Sequence, residues 1–245
     1  MKIGAIIEAR MSSSRLPGKV LLPVAKKPML LHLVERLRKI KKIDKIIIAT
    51  TTNQKDLEIV KFCKKFKIDF FRGSENDVMG RVISAAKKFK IDLITELTGD
   101  CPIIDHKLID QCIELFLNNK VDYVTNCKVR SYPDGMDTQV YKLNTLIKSS
   151  KMTKNKLDRE HVTLHIRNHP NIFKTINLMP DSSLYWPDLG LTLDEHNDYV
   201  LLKKIIEHFY RKKKKFFSCE EVINFLKSNK KIRNINKIVK RKNNA

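Results

Sequence analysis

Through residues 1–126, short apolar and β-branched runs alternate with segments whose apolar residues recur at helical spacing. That alternation is the signature of repeated strand–helix–strand units, and it narrows the fold to an α/β class with a mainly parallel sheet. Strands are expected at Lys2–Glu8, Lys45–Thr50, Asp69–Phe71, Leu93–Leu97 and Asp122–Thr125. Between them, Met29–Lys39 carries Leu30, Leu33, Val34 and Leu37 on one stripe, and Asp56–Phe66, Asp77–Phe89 and Asp105–Leu117 read as further helices. With 245 residues and 42% hydrophobic content, the chain can bury a substantial core as one domain.

After Asn126 the pattern changes. Tyr132-Pro133-Asp134-Gly135 is a turn, and a strand of another kind is expected over Met136–Tyr141. Leu143–Ser149 and Arg159–Arg167 read as helices, Phe173–Leu178 and Gly190–Leu193 as short strands. Asp198–Tyr210 is a last helix, with Val200, Leu201, Ile205, Ile206 and Phe209 on one side. No internal repeat and no clean linker is visible, so a boundary near residue 126 divides one compact unit.

The first strand runs directly into Ala9-Arg10-Met11-Ser12-Ser13-Ser14-Arg15-Leu16-Pro17-Gly18-Lys19. A loop that follows the first strand of a parallel sheet lies at its carboxyl edge, where ligands collect. Arg10, Arg15 and Lys19 would surround one polyanion there, the serines supply hydroxyls with little bulk, and Gly18 permits a turn that a Cβ would obstruct. The reading is a nucleoside triphosphate cradle; three scattered cations would equally describe a solvated loop, and the position after the first strand favours the ligand. A P-loop is excluded because Val20 follows Gly18-Lys19, and no dinucleotide fingerprint is present.

Three further segments carry chemistry. Thr98-Gly99-Asp100-Cys101-Pro102 places a carboxylate just beyond an apolar strand, with Pro102 turning the chain away. Mg2+ commonly takes one or two carboxylates plus substrate phosphates, so Asp100 suffices as a first ligand; capping the next helix is the competing role, and Asp105 is better placed for it. Asp194 again follows a short apolar run, and Glu195 and Asp198 suit the start of a helix. In Phe71–Arg81, Arg72 and Arg81 could face phosphate or base; without further information, Asp77 as a helix cap with Arg81 in an i,i+4 pair is the simpler role.

The motif Ala9-Arg10-x-x-Ser13-x-Arg15-Leu16-Pro17-Gly18-Lys19 resembles the signature of the sugar cytidylyltransferases, which include the CMP-sialate and CMP-ketodeoxyoctonate synthetases and the SpsF-like polysaccharide proteins. The resemblance spans most of residues 1–210. It implies a three-layer, Rossmann-like fold of the nucleotide-diphospho-sugar transferase type, with residues 1–126 as the nucleotide-binding half and 127–210 as the acceptor and dimer half. Nucleotide contacts would then fall to Ala9, Arg10, Ser12, Ser14, Lys19, Arg72, Ser74, Asp77 and Arg81, and metal binding to Asp100 and Asp194. Asp134 and Gln139, with Arg159-Glu160-His161, look like substrate-side motifs of the SpsF-like branch.

By the same resemblance the donor is CTP, the acceptor an acidic or modified sugar for a surface polysaccharide, and the assembly a homodimer. The acceptor oxygen would attack the α-phosphorus in line, with Mg2+ held by Asp100 and Asp194. Arg10, Arg15 and Lys19 would stabilise the departing pyrophosphate. The family usually shows Asp-Thr-Pro-Glu-Asp where this chain has Asp194-Glu195-His196-Asn197-Asp198, and relatives carry an acid where Gln139 stands. Two other readings share the motifs: a nucleotidyltransferase using another triphosphate on a sugar phosphate, and a non-catalytic nucleotide- or polyanion-binding protein.

The net charge of +22 raises the question of nucleic acid. From Arg211 onward, thirteen Lys and Arg face two Glu, so half of the excess sits in residues 211–245. That stretch is rich in Lys and Asn and poor in aromatic stacking platforms, which favours a solvated basic extension over a nucleic-acid contact. His161, His165 and His169 share helical spacing, but a helix ending near Pro170 would not hold all three on zinc; His161 is expected at the acceptor or an interface. Five widely spaced cysteines without a Cys-x-x-Cys pair are expected to be reduced, mostly buried thiols. No apolar run approaches the roughly 20 residues of a membrane span, and the chain enters a strand without a leader pattern, so a cytoplasmic protein is expected.

Overall fold

The structure is a computed structural model that describes residues 1–241; residues 242–245, the end of the expected basic extension, lie outside the described residues. In chain order the elements are β1 (Ile3–Glu8), β2 (Pro23–Val24), β3 (Lys27–Pro28), α1 (Met29–Leu37), β4 (Lys45–Thr51), α2 (Leu57–Lys65), β5 (Asp69–Gly73), α3 (Val78–Phe89) and β6 (Leu93–Thr98). There follow α4 (His106–Asn118), β7 (Tyr123–Thr125), β8 (Gln139–Lys142), α5 (Leu143–Met152), α6 (Lys156–Glu160), α7 (Leu164–Asn168), β9 (Thr175–Asn177), α8 (His196–Arg211), α9 (Cys219–Ser228) and α10 (Lys230–Arg233).

Seven strands form one sheet in the order β5-β4-β1-β6-β8-β7-β9, in which β8 alone runs against its neighbours. Alternate strand residues supply two cores. Ala5, Ile7 and Ile48 pack with α1, α4, α8 and α9 on one face; Ile6, Ile47 and Ala49 pack with α3 and α5 on the other. Burial on both faces is why these strands read as continuous apolar runs. The result is the expected α/β, three-layer architecture with a mostly parallel sheet.

From β1 the chain moves outward through β4 and β5, then returns to place β6 on the opposite side of β1. The strand order therefore reverses between β1 and β6, and a crevice opens beyond their carboxyl ends, the position at which open α/β sheets bind ligands. Glu8 on β1 lies in register with Thr98 on β6, so the Arg10 loop and the Asp100 turn leave the sheet side by side.

Four expectations from the sequence are corrected. The strand after Gly135 begins at Gln139, because Thr138 and its neighbours are held by Asn126, whose side chain bonds the Thr138 N–H and the Met136 carbonyl. Gly190–Leu193 forms only an isolated bridge between Asp134 and Gly190. Arg159–Arg167 is two short helices; the chain turns at Val162, which is buried and has φ +42°, a region a β-branched residue rarely enters.

Residues 211–241 are likewise not a solvated extension. Phe217, Cys219, Val222, Ile223 and Leu226 are buried in the first core, and the Phe217 ring stacks on Phe209 at 4.3 Å. Arg36, itself buried, donates to the Phe217 carbonyl at 2.9 Å with its guanidinium over the ring. Ser218 and Glu221 cap α9 reciprocally. The charge count concealed this because the lysines cluster before and after α9, which itself carries one lysine and an apolar inner face.

Candidate active site

The loop after β1 is tied down at both ends. Asp56, fully buried, accepts the Met11 N–H at 2.7 Å and the Thr51 N–H at 3.2 Å. Gly18, at φ +70°, donates its N–H to the Met11 carbonyl at 3.0 Å, closing a turn that an L side chain would strain. Lys19 is thereby delivered to the floor of the crevice. Its ammonium lies 2.8 Å from Asp100 Oδ2 and 3.0 Å from Asp194 Oδ1. Burial works against that charge, but the two carboxylates outweigh it and raise the Lys19 pKa. Burial likewise opposes ionisation of Asp100, and the Lys19 charge overcomes it, holding the carboxyl below its ordinary value.

Around this pair lies a cavity of about 310 Å³ walled by Ala9, Arg10, Ser13, Ser14, Arg15 and Arg81 among others. Arg15 reaches Asp194 at 2.9 Å and Glu195 at 3.4 Å. Arg81 is buried on α3, where desolvation lowers its pKa, and it donates to the Ser74 carbonyl. A second cavity of about 510 Å³ adjoins the first, lined by Asp134, Asp137, Gln139, Glu160, His161, Arg167 and Arg241. Glu8, Arg15, Asp100, Glu160, His161 and Asp194 face both. The site is thus two adjoining compartments, the first bringing Arg10, Arg15, Lys19 and Arg81 against the shared carboxylates and the second largely acidic.

The structure brings together Ala9, Arg10, Ser14, Arg15, Lys19, Arg81, Asp100 and Asp194 from the expected set, with Asp134, Gln139, Glu160 and His161 in the second compartment. Others stand aside. Arg72 spends its donors on the Thr51 and Asn53 carbonyls, each at 2.9 Å. Ser12 donates to Glu75 at 2.6 Å, and Ser74 accepts the Asp77 N–H at 3.0 Å. Asp77 caps α3 by accepting the Gly80 N–H at 2.9 Å and pairs with Arg159, whose Nε lies 2.8 Å away. These five buttress the walls from behind. Gln139 is held by Tyr123, Thr163 and Glu96, so it is partly committed to the interior. His165 and His169 stack on each other and bond to Ser149 and a backbone carbonyl, apart from His161.

Glu8 and Glu96 were not anticipated. They rise from adjacent strands, Glu96 bonded by the Tyr141 hydroxyl, while Glu8 Oε1 is buried without a hydrogen-bond partner among the described residues. Burial raises Glu8 to about 7, and burial with the neighbouring Glu8 charge raises Glu96 well above its ordinary value. The available signal was a carboxylate inside each of two otherwise apolar strands.

The cytidylyltransferase family model matches residues 4–242, nearly the whole chain. The chain belongs to the cytidylyltransferase family. This cytidylyltransferase is therefore a nucleotidyltransferase. It is 39% identical to the uncharacterized protein MJ1063 of Methanocaldococcus jannaschii over 99% of this chain and 97% of that one. To the spore coat polysaccharide biosynthesis protein SpsF of Bacillus subtilis it is 35% identical, over 82% and 85% of the two chains. The solved structure of a cytidylyltransferase from Leptospira borgpetersenii superposes with a TM-score of 0.89 at 35% identity, covering 95% of this chain and 96% of the other. The match through residue 242 also brings residues 211–241 inside the family's domain.

Asp100 and Asp194 already converge on one cation, the Lys19 ammonium, and two carboxylates with open space beside them are what Mg2+ takes alongside phosphate oxygens. Among the described residues no three His, Cys, Asp or Glu side chains form a complete metal cage. The residues fit an ion that a bound triphosphate helps to hold. No helix among the described residues is long and apolar enough to cross a membrane.

Proposed function

We propose that this cytidylyltransferase transfers CMP from CTP to a hydroxyl of an acidic or modified sugar, releasing pyrophosphate, in the synthesis of a surface glycan. The observation that carries the reading is Lys19 held between Asp100 and Asp194 where the two compartments meet. The first compartment takes the triphosphate: Arg10 and Arg15 face its β and γ phosphates, and Arg81 borders the same space. The second compartment takes the acceptor, with Glu160 and His161 at the junction.

The acceptor oxygen attacks the α-phosphorus in line, and the bond to the bridging oxygen of pyrophosphate breaks. Lys19 and Arg15 stabilise the charge that accumulates on the leaving group, and the buried setting strengthens that effect. A Mg2+ ion held by Asp100 and Asp194 would supply neutralisation of the α-phosphate and a lowered pKa for the acceptor hydroxyl. The resemblance of the first loop to that of the CMP-sialate and CMP-ketodeoxyoctonate synthetases supports the acidic acceptor and a homodimeric assembly. Pyrophosphate release measured with each of four nucleoside triphosphates, Mg2+ and a panel of acidic sugars and sugar phosphates tests the reading. Turnover with CTP and an acidic sugar is expected; turnover confined to another triphosphate and a sugar 1-phosphate would overturn it.

A further inference from the structure

The segment after α10 returns to the site. Asn236 donates to the Gly190 carbonyl at 2.9 Å and to Asp198 Oδ1 at 2.8 Å. Arg241 grips the same carboxylate through both terminal nitrogens, Nη2 to Oδ1 at 2.7 Å and Nη1 to Oδ2 at 3.3 Å. Its Nη1 also donates to Thr192 Oγ1 at 2.7 Å and stands 3.6 Å from Asp194 Oδ2. The guanidinium forms part of the acceptor compartment wall.

Asp198 is fully buried, and a buried carboxylate is tolerated only when paired and hydrogen-bonded. Besides Arg241 and Asn236, it accepts the N–H groups of Asp194 at 3.1 Å and Glu195 at 2.9 Å. It therefore sets the backbone turn that aims Asp194 at the crevice floor. Gly190 leaves the space for this arrangement: a Cβ there would lie 2.0 Å from Arg241 Nη2 and 2.3 Å from its Cζ.

We propose that Arg241 is a positioning residue of the active site. By neutralising Asp198 it fixes the turn 194–198 and holds Asp194 in place for a divalent cation. The inference rests on the reading that Asp100 and Asp194 bind metal together with CTP. It predicts that disturbing Arg241 weakens the metal-dependent part of nucleotide binding and spares the rest.

The test is calorimetric titration of CTP into the full chain, once with Mg2+ and once with EDTA, accompanied by thermal unfolding. Wild type is compared with Arg241→Ala, Arg241→Lys and Gly190→Ala, the last displacing the guanidinium without altering it. Wild type is expected to bind CTP more tightly with Mg2+. Arg241→Ala and Gly190→Ala should lose about 10- to 100-fold of that enhancement, the scale for outer-shell partners of a metal ligand, and Arg241→Lys should lose less. Affinity in EDTA should be preserved in all. Should Arg241→Ala fail to fold, Gly190→Ala and Arg241→Lys decide by the same criterion. Full Mg2+ enhancement in the folded variants overturns the role of Arg241, as does an equal loss with and without metal. A wild type that binds CTP no better with Mg2+ overturns the metal reading itself, and the role of Arg241 with it.

Discussion

Lys19 Nζ and Asp100 Oδ2 are 2.8 Å apart across the crevice between the first strand's loop and the turn after β6, with Asp194 on the other side of the ammonium. The cation does two things there. It favours the ionised form of Asp100 and draws Asp100 and Asp194 onto one positive charge at the crevice floor.

Asp100→Asn should lower kcat by about 10²–10³, the scale for removing one preorganised charged contact at a transition state. Lys19 keeps Asp194 as a partner in that variant, so circular dichroism and the melting curve should change little. Near-normal turnover would reject Asp100 as a ligand.

Lys19→Met should cost about 1–3 kcal/mol of stability, since Asp100 loses its charged partner and faces Asp194 directly. Added Mg2+ should raise the melting temperature of this variant more than that of wild type. A variant whose Tm ignores Mg2+ would count against a shared ion.

The Glu8–Glu96 pair gives a stability–pH dependence of known sign. Burial raises both carboxyls above the ordinary value of 4.5, Glu8 to about 7, so folding favours the protonated form. The stabilisation is complete below pH 4.5 and is lost as pH rises through about 7, by about 3 kcal/mol for Glu8 alone. Tm should therefore fall from pH 5 to pH 8 more steeply in wild type than in Glu96→Gln, and parallel pH profiles would refute the contribution of Glu96.

Asp77→Ala removes the cap of α3 and the partner of Arg159 and should cost about 1–2 kcal/mol. CTP affinity should be nearly unchanged, because Asp77 stands behind the wall. A selective loss of CTP affinity without loss of stability would place it on the nucleotide instead.

Ending the chain after Lys215 should abolish folding. Five buried side chains, Phe217, Cys219, Val222, Ile223 and Leu226, leave the core with that segment. Burial of each large one is worth about 1.5–3 kcal/mol against a net stability of about 5–15 kcal/mol. Soluble, cooperatively melting truncated protein would contradict this.

What could be read from the sequence followed from how local the signal was. β1, β4, β6 and α1 to α4 announce themselves by periodicity within a dozen residues, and the loop after β1 falls at the sheet's carboxyl edge by its position alone, whereas the reversal between β1 and β6 that opens the crevice needs the sheet order. Arg72 could not be placed that way. Its orientation follows from pairing β5 beside β4, which sets Arg72 opposite Thr50 and within reach of the Thr51 carbonyl. Glu8 and Glu96 become neighbours only through the β1–β6 register. Arg241 meets Asp198 across 43 positions, and a Lys-rich stretch carries no mark of which basic residue turns inward.

Arg15 Nη1 also touches the Lys240 carbonyl, 3.5 Å away and 225 positions later in the chain. At the usual pace of translation, about 5–20 residues per second, Arg15 waits roughly 11–45 s for the backbone it contacts near residue 240. A nascent chain can complete β1, β4, β5 and β6 long before it owns a working site, so activity arrives as one of the final events of synthesis.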